Sequence, residues 1–353
     1  MENDLQIMRR SQAADPEKFD TDFASHLPNT AIPKKAMRIK YTQTLLSYAG
    51  KRKSEFWIAI QPQSGEVIAR LGADIGAIHS SVGFLEANKT EQGSFAAAIL
   101  LNEAIDWLKN NGVTIVYGPM DFNSWFNYRF KKIENDVEAA TNHPWEPEAS
   151  RSYEDLFRTN GFKDEIRYAS YFFDLTHVSQ WQQHIEHLKP DYERAVNAGF
   201  KMREISTQEN SEQDIRSIFE ISNVAFANQP MFESIPFSMF SALTLPALTN
   251  YNATPSKICF DKNNRPVGFL FAFYLHGLIV YKSVAVLPEY QAMGIGNAMT
   301  LELCEFGLKN NVTKCVGALI RSGNKSEMFG KSFEKIVRSS GKNDYILLSR
   351  TIK

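Results

Sequence analysis

A chain of 353 residues is long for one hydrophobic core and points to two domains. Its 43% hydrophobic and 22% charged residues are ordinary for a globular protein, and a formal net charge of -1 gives no ground for nucleic acid or an acidic membrane surface as the main partner. No apolar run approaches the ~20 residues of a membrane span, the acidic start lacks the apolar core of a signal peptide, and the sparse Cys259, Cys304 and Cys315 lack metal spacing. A cytoplasmic protein with buried thiols, no metal and no membrane partner is expected.

Residues 5–50 carry turn marks at Asp15-Pro16 and at Pro28, Asn29 and Thr30, with a short helical stretch over 41–48. From Phe56 the pattern sharpens. Residues 56–60 read as a strand, Gln61 to Gly65 as a turn, 66–71 as a second strand and 81–86 as a third. After the polar turn 88–94, Phe95, Ile99, Leu100, Ala104 and Leu108 keep helical spacing until Asn110, Asn111 and Gly112 stop the helix. Residues 113–117 form a strand closed by Gly118-Pro119. An irregular aromatic stretch follows, with Trp125, Phe126, Tyr128, Phe130 and Trp145. A short helix then begins near Tyr153 and ends at Gly161-Phe162, before a strand over 168–175.

Residues 181–196 read as a charged helical connection containing Pro190, and the domain boundary is expected there, giving domains 1–185 and 186–353. The second half repeats the first in outline. A helix spans 212–226, a break follows over 228–236, and 237–248 is helical. Strands 257–260 and 267–274 form a hairpin, and strand 278–286 comes next. Beyond the following helix lie strand 314–320, a polar loop with Asn324, a short helix near Phe329 and a closing strand over 345–349.

The chemistry concentrates between the last two strands of that hairpin layer and the helix after them. An apolar run ends at Leu287-Pro288, and Gln291, Gly294 and Gly296 follow in the spacing Gln-x-x-Gly-x-Gly. A helix with Met299, Leu301, Leu303, Cys304 and Phe306 then opens. Two glycines let the backbone turn tightly and aim several N–H groups at one concave surface, where the positive end of the helix suits a phosphate. A dinucleotide-binding turn would need a third small residue where Met299 stands, so that reading is set aside.

The whole phrase resembles the acyl-CoA pyrophosphate loop of the GNAT acyltransferase superfamily, and the repeated order of elements resembles its layout. The resemblance implies an α/β (α+β) fold of two tandem GNAT-like domains, each a mixed, largely antiparallel sheet flanked by helices. In the first half the matching loop offers one glycine, Gly93, with the carboxylate of Glu91 where phosphate would sit, which marks a degenerate copy. The second half keeps the loop intact.

By resemblance, acetyl-CoA or another acyl-CoA is the co-substrate. Val284, Ala285 and Val286 would hold its pantetheine arm, and the N–H groups of Met293, Gly294, Ile295, Gly296, Asn297 and Ala298 would take the pyrophosphate. Gln291 would touch a phosphate or close the loop. Asn324 would stand near the pantetheine arm, or serve as a helix N-cap. The reaction implied is direct transfer of an acyl group to the amine of a small molecule or peptide. The family's frequent thiolate acid, a Tyr in the last short helix, is replaced here by the stretch around Phe329, and Phe157 stands in the matching phrase of the first half. Its frequent Glu on the strand before the loop is replaced by Val280 and Tyr281. Counting by twos puts Tyr281 and Ser283 on one face of that strand as candidate proton-handling groups, with Tyr345 on the last strand as a further one. Asn228, Phe232 and Phe240, in and after the break, are expected to line the acceptor site. The rival readings are a catalytically silent acyl-CoA-binding or regulatory module, and a GNAT-fold enzyme that uses a carrier-protein or aminoacyl-tRNA donor or decarboxylates malonyl-CoA.

Overall fold

The computed structural model describes residues 5–352 apart from 31, 133–142, 144, 148–149, 176, 208–210, 325, 328–332 and 335. The expected short helix near Phe329 lies outside the described residues. Packing divides the chain into two units, neither of them a continuous segment. Unit 1 holds residues 1–132, 147–166 and 346–353; unit 2 holds 133–146 and 167–345.

In unit 1 the strands β1 (Gln6–Arg9), β2 (Lys53–Gln61), β3 (Glu66–Ile75), β4 (Ser80–Ala87) and β5 (Ile115–Gly118) lie side by side in that order. All pairs are antiparallel except β4–β5, which is parallel. A two-residue β6 (Phe130–Lys131) follows in the chain. Next to β5 comes no strand from the first half of the sequence, but the end of the last strand of the chain. Residues 348–351 of β13 (Ser339–Thr351) pair antiparallel with 115–118. Ile346, Leu348 and Ile352 are thereby buried in unit 1 with Trp57, Leu71, Leu100 and Leu108. Helices α1 (Pro16–Ser25), α2 (Ile32–Ala49), α3 (Glu91–Asn110) and α4 (Arg151–Thr159) complete the unit.

Asp15-Pro16 begins α1 where a turn was expected. Pro16 needs no N–H in the first helical turn, and the Asp15 carboxylate accepts from the N–H of Lys18 at 2.9 Å. Turn and helix start use the same residues, and only the buried Phe19 and Phe23 downstream decide between them.

Unit 2 is a sheet in the order β7 (Lys163–Asp174), β12 (Lys314–Arg321), β11 (Leu278–Val286), β10 (Pro266–Leu275), β9 (Lys257–Phe260) and β8 (Lys201–Glu204). Among the described residues, only β11–β12 is parallel. One face is covered by α5 (Val178–Asn197) and α8 (Ile295–Lys309) around Trp181, Leu188, Met299, Leu303 and Cys304. The other face carries α6 (Ser211–Ala225) and α7 (Phe237–Asn250), with Phe226 packed edge-on to Phe269. Cys259, Cys304 and Cys315 are free and buried.

The boundary expected at residue 185 differs from this division. Strand β7 follows unit 1's short helix in sequence but spends residues 167–174 in unit 2, beside β12. The C-terminal strand does the converse. Each half of the chain therefore lends a strand to the other unit, and periodicity along the sequence carries no information about which sheet a strand joins.

Candidate functional site

The parallel pair β11–β12 is joined only from Leu278↔Lys314 to Tyr281↔Gly317. Beyond that point the two strands part. A bulge in β11 lies at the parting: Tyr281 pairs with Ala272, but Ser283 pairs with Phe271, leaving Lys282 as the extra residue. Strand β12 carries its own irregularity there, between Gly317 and Ile320, with Leu319 in the left-handed region at φ 56°.

The bulge corrects one expectation. Directly paired residues share a face, so Tyr281 lies with Ala272 on the α8 side while Ser283 lies with Phe271 on the α6 side. The Tyr281 hydroxyl is 3.3 Å from the Thr300 hydroxyl of α8, and burial pushes its ionisation upward. The two side chains do not share a face, because counting by twos fails across an extra residue. Val284 and Val286 pack on the α8 side, and Ala285 is buried.

After β11 the chain makes a 3₁₀ turn at Pro288–Tyr290, passes through Ala292 at φ 64° and Gly294 at φ 84°, and enters α8 at Ile295. Gln291 closes this loop, its side-chain N–H donating to the Val286 carbonyl at 3.3 Å. Met293 is exposed and Ile295 is buried beneath the turn. Gly294 is the N-cap, and among the described residues no side chain caps α8. The first N–H groups of the helix therefore have no side-chain acceptor among the described residues. Ala298 is not among them: its N–H donates to the Gly294 carbonyl at 2.8 Å, so the helix itself takes the donor that was assigned to phosphate.

Helix α5, read from sequence as a mere connection, reaches this loop. The Asp191 main-chain carbonyl packs against Gly294, the Asp191 carboxylate accepts from the Asn297 side chain, and Arg194 pairs with that same carboxylate. No spacing in the sequence marks Asp191, since the contact joins positions 106 residues apart. Asn324 touches its neighbours through main chain, donating to the Arg321 carbonyl and accepting from Glu327.

Unit 1 has the same plan with its openings filled. Strands β4 and β5 pair only at Ser80↔Val116 and Ser81↔Tyr117. Past that point the Val82 carbonyl accepts from the Met120 N–H at 2.8 Å, the Phe84 N–H donates to the Asp121 carboxylate at 2.6 Å, and the Ala87 N–H donates to the Tyr153 hydroxyl at 2.7 Å. Burial pushes the Asp121 carboxyl up to about 6, against the pull of the Phe84 N–H. The start of α3 is capped by the Thr90 hydroxyl, which accepts from Gly93. The Val82 carbonyl and the N–H groups of Phe84, Ala87 and Gly93 in unit 1 are thus satisfied by the chain's own atoms.

On the α6 face of unit 2 a buried polar chain lies at the β12 irregularity. The Leu319 N–H donates to the Ser170 hydroxyl at 3.0 Å, which stands 3.3 Å from His143 Nε2 and 3.0 Å from the Tyr345 hydroxyl. Tyr345 donates in turn to Glu146, which also accepts from Asn343. Burial, and then the neighbouring Glu146, push the Tyr345 hydroxyl well above its ordinary ionisation range. Of the residues expected at the acceptor site, Asn228 is exposed, Phe232 is buried, and Phe240 is buried against Phe219 at 5.4 Å between the two helices. Another aromatic group stands by the β11 bulge: Trp145, whose ring is 4.9 Å from Phe273 and lies under the Lys282 ammonium.

Two units built on parting parallel strands that run into a helix N-terminus have the fold of acyl-CoA N-acyltransferases. Residues 217–327, which run from within α6 to just past β12, match the Acetyltransferase (GNAT) family, and the chain has the fold of tandem GNAT proteins. Similar solved structures share the fold at low identity. A tandem GNAT protein from the clavulanic acid biosynthesis pathway is 10% identical with a TM-score of 0.51, over 99% of this chain and 98% of that one. A probable N-acyltransferase of Enterococcus faecalis V583 is 10% identical with a TM-score of 0.59, over 99% of this chain and 72% of that one. The glucosamine N-acetyltransferase region of a fungal multi-domain GH3 β-N-acetylglucosaminidase is 12% identical with a TM-score of 0.56; the match covers 99% of this chain and 38% of the fungal one. A search of curated proteins finds no match. Among the described residues no helix is long and apolar enough to cross a membrane.

Proposed function

We propose that unit 2 is an acyl-CoA-dependent N-acyltransferase, in its simplest form an acetyltransferase, which moves the acyl group directly to an amine of a small molecule or peptide. One observation carries this reading: the parting of β11 from β12 leads into an uncapped helix start, while the equivalent features of unit 1 are filled by Met120, Asp121, Tyr153 and Thr90. The acyl-CoA is a co-substrate that would supply the thioester. The main chain at Val284, Ala285 and Val286 would hold the pantetheine arm, with Asn324 across from it. The N–H groups of Met293, Gly294, Ile295, Gly296 and Asn297 would take the pyrophosphate, where partial positive charge at a helix N-terminus favours an anion.

The chain's own contribution is orientation and electrostatics. A neutral amine attacks the thioester carbonyl, backbone N–H groups at the bulge stabilise the developing oxyanion, and a proton passes from the amine to the departing thiolate. Ser283, on the α6 face at the bulge, or the Ser170–Tyr345–Glu146 chain would relay that proton. Tyr281, held at Thr300 on the opposite face, keeps a packing role. Unit 1 is read as a closed, degenerate copy.

A silent acyl-CoA-binding module is the second reading, favoured by the lack of a Glu at Val280 or Tyr281 on β11. Calorimetric titration with acetyl-CoA and longer acyl-CoAs, followed by free-thiol release with a panel of amines, separates the two. Binding with thiol release that depends on the amine supports acyl transfer. Binding without release under any amine sinks the enzyme reading, and failure to bind any acyl-CoA sinks both.

A further inference from the structure

The last residue of β12, Arg321, differs from the arginines of this chain that have a bidentate carboxylate partner. Arg52 is paired with Asp74, Arg10 with Asp20, and Arg203 with Asp214, each through two nitrogens. Arg321 is partly buried, yet among the described residues it has no carboxylate within ion-pair distance. Its Nε is buried without a hydrogen-bond partner, and Nη2 reaches only the neutral Gln229 side chain, at 3.3 Å. A guanidinium keeps its charge at all relevant pH values, and shielding such a charge without an anion is unfavourable.

Its position says which ligand would supply the anion. Arg321 pairs with Tyr168, two residues from Ser170 and four from Phe172 along β7, so it shares the face of Val316, Val280 and Trp145. That is the α6 face, opposite the one on which Val284 and Val286 pack against α8. Gln229, the one side chain that Arg321 bonds among the described residues, lies in the break between α6 and α7. The fork therefore stands on the acceptor side of the parted strands.

We infer that Arg321 binds a carboxylate of the acceptor, so that the amine acylated belongs to an amino acid or to a peptide with a free carboxylate, and not to a polyamine. This rests on the acyltransferase reading of unit 2. A guanidinium fork matches a carboxylate with two parallel hydrogen bonds, which an amide or a decarboxylated amine cannot accept in the same way.

The test uses the full-length protein saturated with CoA. N-acetylglycine, N-acetylglutamate and N-acetylphenylalanine, standing in for acylated product, are titrated calorimetrically beside the amide of each. At least one carboxylate should bind about tenfold or more tightly than its amide. Arg321→Gln should bring that ratio to about one. Gln229→Glu should do the same by giving Arg321 an internal partner, and it keeps the arginine should Arg321→Gln fold poorly. CoA affinity of Gln229→Glu should stay within about twofold of the wild type, as expected for a site apart from the phosphate loop. No carboxylate preference in the wild type, or an equal loss of CoA affinity in Gln229→Glu, overturns the inference. Thiol release from acetyl-CoA with the free amino acids is read separately. Release without carboxylate preference removes this inference and leaves acyl transfer standing; carboxylate preference without release does the reverse.

Discussion

The main-chain carbonyl of Asp191 stands 2.5 Å from where a Cβ on Gly294 would be. Glycine is required there twice over, by this close approach and by φ 84°. The atom in the way is backbone on a packed helix, so it cannot swing aside. Gly294→Ala should lower stability by about 1–3 kcal/mol and weaken acetyl-CoA binding about tenfold or more, by pushing α5 away from the start of α8. A thermal melt and a calorimetric titration check both effects; binding at wild-type strength would remove the phosphate site from this loop.

Asp121 makes unit 1 sensitive to pH. Its carboxyl titrates near 6 in the fold against an ordinary 3.8, so the fold favours the protonated form. The stability this contributes is full below about pH 4 and is lost as pH rises through about 6. Asp121→Asn, neutral at every pH, should lack that decline. Urea unfolding from pH 4 to 7 should show the variant gaining on the wild type by up to about 3 kcal/mol. Parallel curves for the two proteins would mean that the carboxyl is not perturbed.

Tyr345→Phe deletes the hydroxyl between Ser170 and Glu146 while keeping the ring. Loss of a buried bond to a carboxylate should cost about 1–3 kcal/mol, seen as a lower denaturant midpoint at constant slope. Ser170→Ala removes the other end of the same bond, so the two losses should be non-additive in the double variant. Additive losses would show that the chain of hydroxyls does not act as a unit.

A chain ending at Tyr345 keeps all of unit 2 but strips Ile346, Leu348 and Ile352 from the core of unit 1. At about 1.5–3 kcal/mol for each buried side chain, plus the strand pairing with β5, the loss rivals the whole stability of a domain. Limited proteolysis should cut unit 1 of the truncated protein and leave unit 2 resistant. Separate fragments 1–185 and 186–353 should each fail to fold alone, which calorimetry would show as absent cooperative melting.

The elements themselves were legible in the sequence. The strand from Phe56, helical spacing from Phe95 and Met299, and the stop at Gly112 come from local contacts, and all appear in the fold. The loop from Gln291 to Gly296 was legible for the same reason, because its turn chemistry lies in six adjacent residues. What escaped depends on distant partners. Strands β7 and β13 look alike in either sheet until the other half of the chain is in place. Lys282 cannot be seen as a bulge without β10 beside it, and so Tyr281 and Ser283 were put on one face. Asp191 and Arg321 carry no motif; their interest lies in what each faces.

Unit 1 holds its filler on the same covalent chain. Met120, Asp121 and Tyr153 occupy β4 at an effective concentration fixed by tether length, without the entropy cost of gathering a free molecule from solution. On the function proposed for unit 2, any response to changing acyl-CoA levels would fall to that unit alone, and a titration should reach its plateau at one equivalent per chain.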